Sequence, residues 1–323
     1  MDVHISVIAD FKHLFPEFEI TDWCMSGHSW VFHRSIQQPK YITASTWTQF
    51  SPAMIVAFQH EYDVFLRTFD GFICGHPNVF AMVFEKYGKP IIMINSCRYD
   101  LPFCWSKNSA MLDSYKACLQ RLQQKGLLIA VSNNLADQFY TKIGCGIVTS
   151  HIPSLCGYTG IKYKPIRSTF LCYHGSFPEH PLITNKSTLG RFEWPVLGEF
   201  LGIIHVPYEI STMSMFEHYT AGLPLFFPSK KYMIDDVNIQ SVSAYWNTLP
   251  ADLAVFSDKS VWVNLADFYH VFKSPNVYLF DSFEHLLSLL ESFEWKDDSA
   301  IIKDHETKIR HSWAQVLKGL TPS

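Results

Sequence analysis

Phe72-Ile73-Cys74, Asn78-Val79-Phe80-Ala81-Met82-Val83-Phe84-Glu85-Lys86-Tyr87-Gly88 and Pro90-Ile91-Ile92-Met93-Ile94-Asn95 make one complete strand–helix–strand unit. The first run is short and apolar, as a strand requires. Asn78 can cap a helix whose apolar face is Val79, Phe80, Met82, Val83, Phe84 and Tyr87. Gly88 ends that helix and Pro90 forbids its continuation. The next run, Pro90 to Asn95, reads as a buried strand. The same alternation then repeats: a helix from about Ala110 to Lys125 with a stop at Gly126, the strand Leu127 to Val131, and a helix from Asn134 to Ile143 stopped by Gly144. Continuous apolar strands alternating with amphipathic helices imply a parallel sheet covered on both faces.

Working towards the N-terminus, the pattern predicts a first strand over His4 to Ile8 and a second near Glu19 to Met25. Working towards the C-terminus, it lapses into Pro, Gly, Tyr and Lys around Ile152 to Ser168, a linker, and then resumes. Strands are predicted at Thr169 to Tyr173, Leu201 to Val206, Leu223 to Phe227 and Asn276 to Phe280. Helices are predicted at Ser214 to Ala221, Phe283 to Glu291 and about Ala300 to Lys318. The fold class is therefore α/β, with two doubly wound Rossmann-like domains facing a cleft. The boundaries are 1–160, 161–298 and a final helix, 299–323, packing back on the first domain. Ligands of open parallel sheets bind on the loops that follow strands.

Composition narrows the function classes. The 323 residues are 48% hydrophobic and 17% charged, enough for two cores and incompatible with disorder as the main state. A formal charge of −4 leaves no phosphate-neutralising excess for a general nucleic-acid surface. Met1-Asp2-Val3-His4 has no basic region of a secretory signal, and the longest apolar stretches are strand-sized, so no membrane span is expected. None of the eight cysteines forms a CxxC pair, and reduced core cysteines of a cytoplasmic protein are the expectation. There is no HExxH, no DxD, no Gly-x-Gly-x-x-Gly, no Walker lysine loop and no Gly-x-Ser-x-Gly elbow. Metal, NAD-, ATP- and serine-hydrolase chemistry thus lack their usual signatures, and neither metal nor cofactor is expected.

The most informative segment runs from Val206-Pro207-Tyr208-Glu209-Ile210-Ser211-Thr212-Met213-Ser214 through Glu217 to Ala221-Gly222-Leu223-Pro224 and Pro228. A strand ends, hydroxyl residues open a helix, and a carboxylate sits one turn in. Hydroxyls and free N–H groups at a helix start suit a diphosphate, and a carboxylate can accept hydrogen bonds from a ribose diol. The plainer reading of Ser214-Met215-Phe216-Glu217 is a capping box. Directly after a predicted strand, Tyr173-His174-Gly175-Ser176-Phe177 offers a glycine loop that lets backbone approach a phosphate. Lys186 and Arg191 follow and can neutralise it.

The 206–229 segment resembles the donor-binding motif of GT-B glycosyltransferases, and is similar to that of the bacterial wall-building N-acetylglucosaminyltransferase and exostosin-like enzymes. Asn95-Ser96-Cys97-Arg98-Tyr99-Asp100 is similar to glycosyltransferases of large algal DNA viruses, which would place the protein in host cytoplasm. The resemblance implies that Glu217 holds the donor ribose and that Ser211, Thr212 or Ser214 faces the diphosphate, with Gly175, Ser176, Lys186 and Arg191 around it. It implies metal-independent, inverting transfer from a nucleotide-sugar, UDP-linked and specifically UDP-xylose, to a glycan hydroxyl. Glu209 and Glu217 also stand at the E-x7-E spacing of retaining members, but Pro207 lies closer to Glu209 than in those enzymes.

The first domain would then hold the acceptor and a general base. Asp10 follows the first predicted strand; His28, His76 and Asp100 follow later ones. Each also has a plain structural role open to it: Asp10 as a helix cap, the histidines as loop residues bonded to backbone, Asp100 as a turn former. Trp30, Tyr99, Phe103 and Trp105 can stack on a sugar or pack in a core. Two other functions fit the same scaffold, a UDP-sugar epimerase or hydrolase and a non-catalytic two-lobed sugar- or nucleotide-binding protein.

Overall fold

A computed structural model describes residues 1–26, 38–174, 177–207, 209–235 and 258–318. The chain divides into two compact units. One holds Met1–Pro153 and the described residues from His311 onward; the other holds the described residues between Ser154 and Arg310.

The first unit begins with α1 (Ile5–Leu14) and α2 (Pro52–Leu66), then β1 (Phe72–Cys74), α3 (Ala81–Phe84), β2 (Ile91–Asn95), α4 (Phe103–Ser106), α5 (Ser109–Gln124), β3 (Leu128–Ser132), α6 (Leu135–Cys145) and β4 (Ser150–His151). Its four strands form a parallel sheet in the order β1-β2-β3-β4. Asn78 does not cap α3, since its side-chain amide meets that of Asn95, but α5 and α6 are capped by asparagines. In α5 the Asn108 side chain accepts from Met111 N–H, and Met111, Tyr115, Cys118, Leu119 and Leu122 make one buried stripe. In α6 Asn134 caps, and the left-handed residue that ends the helix is Gly146, not Gly144. Gly144 instead lets the Tyr99 ring lie against the helix, where a Cβ would collide with its hydroxyl.

Two N-terminal expectations are corrected. Residues His4 to Ile8 are not a strand: Ile5–Leu14 is a helix in which Ile5, Val7, Ile8, Phe11 and Leu14 are all buried. A helix enclosed on nearly every side shows no polar face, and its run of apolar residues is indistinguishable from a buried strand. The region near Glu19 to Met25 contributes only a single parallel bridge, Asp2 to Cys24. Extended backbone does occur just before α1. Met1 to Val3 lies between Trp23–Met25 on one side and β1 on the other, tied by Asp2 N–H to Trp23 O, Gly75 N–H to Met1 O and Val3 N–H to His76 O.

The second unit contains β5 (Phe170–His174), β6 (Ile183–Asn185), β7 (Ile203–His205), α7 (Met213–Thr220), β8 (Leu225–Pro228), α8 (Lys230–Asp235), α9 (Lys259–Asn264), α10 (Asp267–His270), β9 (Val277–Phe280), α11 (Phe283–Glu291) and α12 (Ser299–Leu317). The sheet is parallel throughout, in the order β6-β5-β7-β8-β9. Phe170, Ile204, Phe226 and Phe280 from four strands pack with Leu286 and Leu290 of α11 into one apolar layer. The end of α12 belongs to the first unit, where Trp313 meets Phe11 and Phe15 edge-on. All eight cysteines are free thiols, six of them buried. Among the described residues no helix is long and apolar enough to cross a membrane.

Candidate functional site

Strand order locates the site in the second unit. From β5 the chain goes to β6 on one side and then to β7 on the other. Order therefore reverses between β5 and β7, and in open parallel sheets the crevice beyond the carboxyl ends at such a point receives ligands. Tyr173 lies near the end of β5, Lys186 directly follows β6, His205 ends β7, and the loop from β7 leads into α7.

Glu217, on α7, is buried, and Tyr158 donates its hydroxyl to Glu217 Oε1 at 2.5 Å. Trp194 stands beside Tyr158 with ring centroids 5.4 Å apart. Lys186 is half-buried, its Nζ 3.7 Å from the Tyr173 ring centroid. Burial lowers the Lys186 pKa, against an opposing pull from the nearby Glu217 carboxylate. No ion pair forms between them, nor between Lys186 and any other described carboxylate. Beneath lies a buried histidine pair, His205 Nε2 to His218 Nδ1 at 2.9 Å, with Tyr173 edge-on to His218 at 4.6 Å.

The capping-box reading of Ser214 and Glu217 fails. Thr212 is the N-cap of α7, without a side-chain cap bond, and Ser214 lies inside the helix. Thr212 Oγ1 and Ser214 Oγ pair at 3.0 Å, while Ser211 is half-buried in the preceding loop. The structure thus brings Thr212 and Ser214 together, and places Lys186 in the electrostatic field of Glu217. Arg191 is exposed on the loop after Lys186. Gly175 and Ser176 lie outside the described residues.

A second grouping sits in the first unit, again where order reverses. The chain leaves Met1–Val3 for Trp23–Met25 on one side and returns as β1 on the other. His4 and His76 follow these two segments with ring centroids 6.3 Å apart; Trp47 lies 6.3 Å from His76 and 5.7 Å from Trp105, which is 47% exposed. Asp2 Oδ1 accepts the backbone N–H of both His4 (2.6 Å) and His76 (3.2 Å), fixing the two loops. Gly75 is required there, since a Cβ would come within 2.5 Å of Asp2 Oδ2. Desolvation, and secondarily His4, pushes His76 down to about 3 from 6.5, so its imidazole is neutral at pH 7.

The remaining candidates fare differently. Asp10 is not on a loop after a strand; it is buried within α1, so the positional ground for a catalytic role is gone. Asp100 is fully buried and committed: Arg98 donates to both its oxygens (3.0 and 2.7 Å) and Tyr140 to Oδ2 (2.9 Å). Tyr99 and Phe103 are buried in the core and are not available for stacking. His28 and Trp30 lie outside the described residues. Sequence reasoning missed Tyr158, Trp194, His4 and Trp47, and treated Tyr173 only as part of a loop motif. An aromatic residue at the carboxyl end of a strand was the available signal for Tyr173.

No family model matches the chain, and no curated protein is significantly similar to it in sequence. Among solved structures it is similar to the crystal structure of CalG4, the calicheamicin glycosyltransferase. The identity is 9%, with 97% of this chain and 90% of that chain covered and a TM-score of 0.34.

Proposed function

We propose that the chain is a glycosyltransferase that moves a sugar from a nucleotide-sugar, UDP-linked, to a hydroxyl of a glycan acceptor, without metal and with inversion. The observation that carries this reading is a half-buried Lys186, ion-paired to no described carboxylate, in the field of the buried Glu217 at the point where strand order reverses. A cation without a carboxylate partner calls for an anion. A carboxylate within its field, already accepting from the Tyr158 hydroxyl, can accept from a ribose diol instead. A sugar nucleotide carries a diphosphate and a diol at neighbouring positions.

In the transfer, the acceptor oxygen forms a bond to the anomeric carbon as the bond from that carbon to the phosphate oxygen breaks. The nucleoside diphosphate leaves with the electron pair, stabilised by Lys186 and by N–H groups at the start of α7. The acceptor proton passes to a general base. Within the first unit, His76 with Trp47 and Trp105 beside it offers an imidazole and ring faces suited to a sugar hydroxyl.

The test is a thermal-shift panel of UDP, GDP, CMP and their sugars, followed by turnover with glycan acceptors, UDP-xylose first. A ligand that binds the folded state raises the midpoint. A midpoint unmoved by every nucleotide sinks the proposal. Consumption of a UDP-sugar with no acceptor present identifies an epimerase or hydrolase instead.

A further inference from the structure

Lys186 is held in an unusual way for a half-buried cation. Its ammonium sits 3.7 Å from the centroid of Tyr173, with Phe192 at 5.9 Å. A lysine in such a place usually pairs with a carboxylate. That would place its charge but also neutralise it, and a phosphate would then have to break the pair to bind. An aromatic face attracts the ammonium without neutralising it, because the ring contributes a quadrupole and no net charge. Tyr173 is itself fixed from behind. Its ring meets His218 at 4.6 Å and 83°, and His218 is bonded to His205. Tyr173 and His205 lie at the ends of neighbouring strands, so the platform belongs to the sheet and not to a mobile side chain.

We infer that Tyr173 is a positioning residue: its ring holds the Lys186 ammonium in place and un-neutralised, so that the cation can take a phosphate group of the ligand. The inference rests on the donor reading above and deepens it, by stating how the site keeps a charge available for the diphosphate.

Calorimetry on the full chain with UDP, inorganic pyrophosphate and uridine tests it. Tyr173→Phe keeps the ring and should bind UDP as the wild type does. Tyr173→Leu should bind UDP and pyrophosphate about tenfold more weakly, with uridine affinity unchanged. In a Lys186→Met background, which lacks the charge, Tyr173→Leu should cost nothing further. A role limited to packing would lower uridine affinity as well and would persist in that background; either result overturns the inference. So does unchanged UDP affinity in Tyr173→Leu. If Tyr173→Leu does not fold, the Lys186 side-chain protons of the wild type decide. An upfield ring-current shift that responds to pyrophosphate supports the platform, and ordinary positions refute it. Wild type that binds neither UDP nor pyrophosphate refutes the donor reading itself, whereas wild-type binding with an indifferent Tyr173→Leu refutes only the role of the ring.

Discussion

Arg98 and Lys186 both follow a strand of a parallel sheet, one in each unit, and they are handled in opposite ways. Arg98 is 1% exposed, bonded in two places to an Asp100 that is 0% exposed, and its guanidinium lies 5.2 Å from the Tyr140 ring. Desolvation lowers the Arg98 pKa, but the hydrogen bonds and charge of Asp100 hold it above the ordinary value. Around it the first unit closes a polar core, where the Asn78 and Asn95 amides meet at 2.5 Å and Asn95 donates to Thr141 at 3.0 Å. Among the described residues Lys186 has no such partner. Its carboxylate neighbour Glu217 is engaged by a neutral hydroxyl, and the ammonium rests on a ring. A buried charge satisfied from within holds a fold in one arrangement, while the role proposed for Lys186 depends on a charge that no described carboxylate pairs with.

That contrast can be broken most forcefully at Arg98. Arg98→Met strands the Asp100 carboxylate in a dry interior and should cost ~3–5 kcal/mol of stability, read by urea denaturation. A loss below ~1 kcal/mol would mean that the pair is not sealed. In the second unit, Glu217→Ala should weaken UDP binding by ~1–3 kcal/mol, measured by calorimetry. Equal affinity in a folded variant removes Glu217 from the site.

The pH dependence of stability sharpens the picture of the first unit. Burial raises Asp2 from 3.8 to about 8, so the folded carboxyl keeps a proton that the unfolded chain has lost. Its stabilising contribution is complete below 3.8 and falls as pH rises towards 8. His76 has the opposite sign: its contribution is complete above 6.5 and is lost as pH falls towards about 3. The two slopes cancel between 3.8 and 6.5, and only that of Asp2 remains above. Asp2→Asn keeps the acceptor for His4 and His76, and should abolish a decline of ~1.4 kcal/mol per pH unit between pH 6.5 and 8, seen in midpoints measured across that range. Parallel profiles for the two proteins would contradict the burial effect. The smallest change expected is Tyr158→Phe, which removes one hydroxyl donor to Glu217 and should shift UDP affinity by ~1 kcal/mol in calorimetry. An effect as large as that of Glu217→Ala would show that Tyr158 touches the ligand itself.

Much of this architecture is legible in particular residues. Phe72–Cys74, Ile91–Asn95 and Phe283–Glu291 are readable because apolar runs are bounded by Gly, Pro or a serine cap. Helix α2 is not, since only Phe58 and Leu66 are fully buried while Val64 is 83% exposed, which blurs the helical stripe. Strand β6 is three half-buried residues, too short to show any period. Glu217 was accessible as a carboxylate one turn into the helix after a predicted strand, and Lys186 as a cation following the Tyr173–Phe177 loop. Tyr158 was not, because it comes from a Pro- and Gly-rich stretch that reads as linker.

By itself the order of amino acids determines the alternation of strand and helix, and with it the loops that carry chemistry, because those features depend on neighbours a few positions apart. Only the tertiary structure decides which cation is paired with a carboxylate and which rests on a ring. Arg98 finds Asp100 two residues on, whereas Lys186 meets Tyr173 and Glu217 only after separate strands are laid side by side. Neutralising a charge depends on distance in space, and local pattern has no access to it.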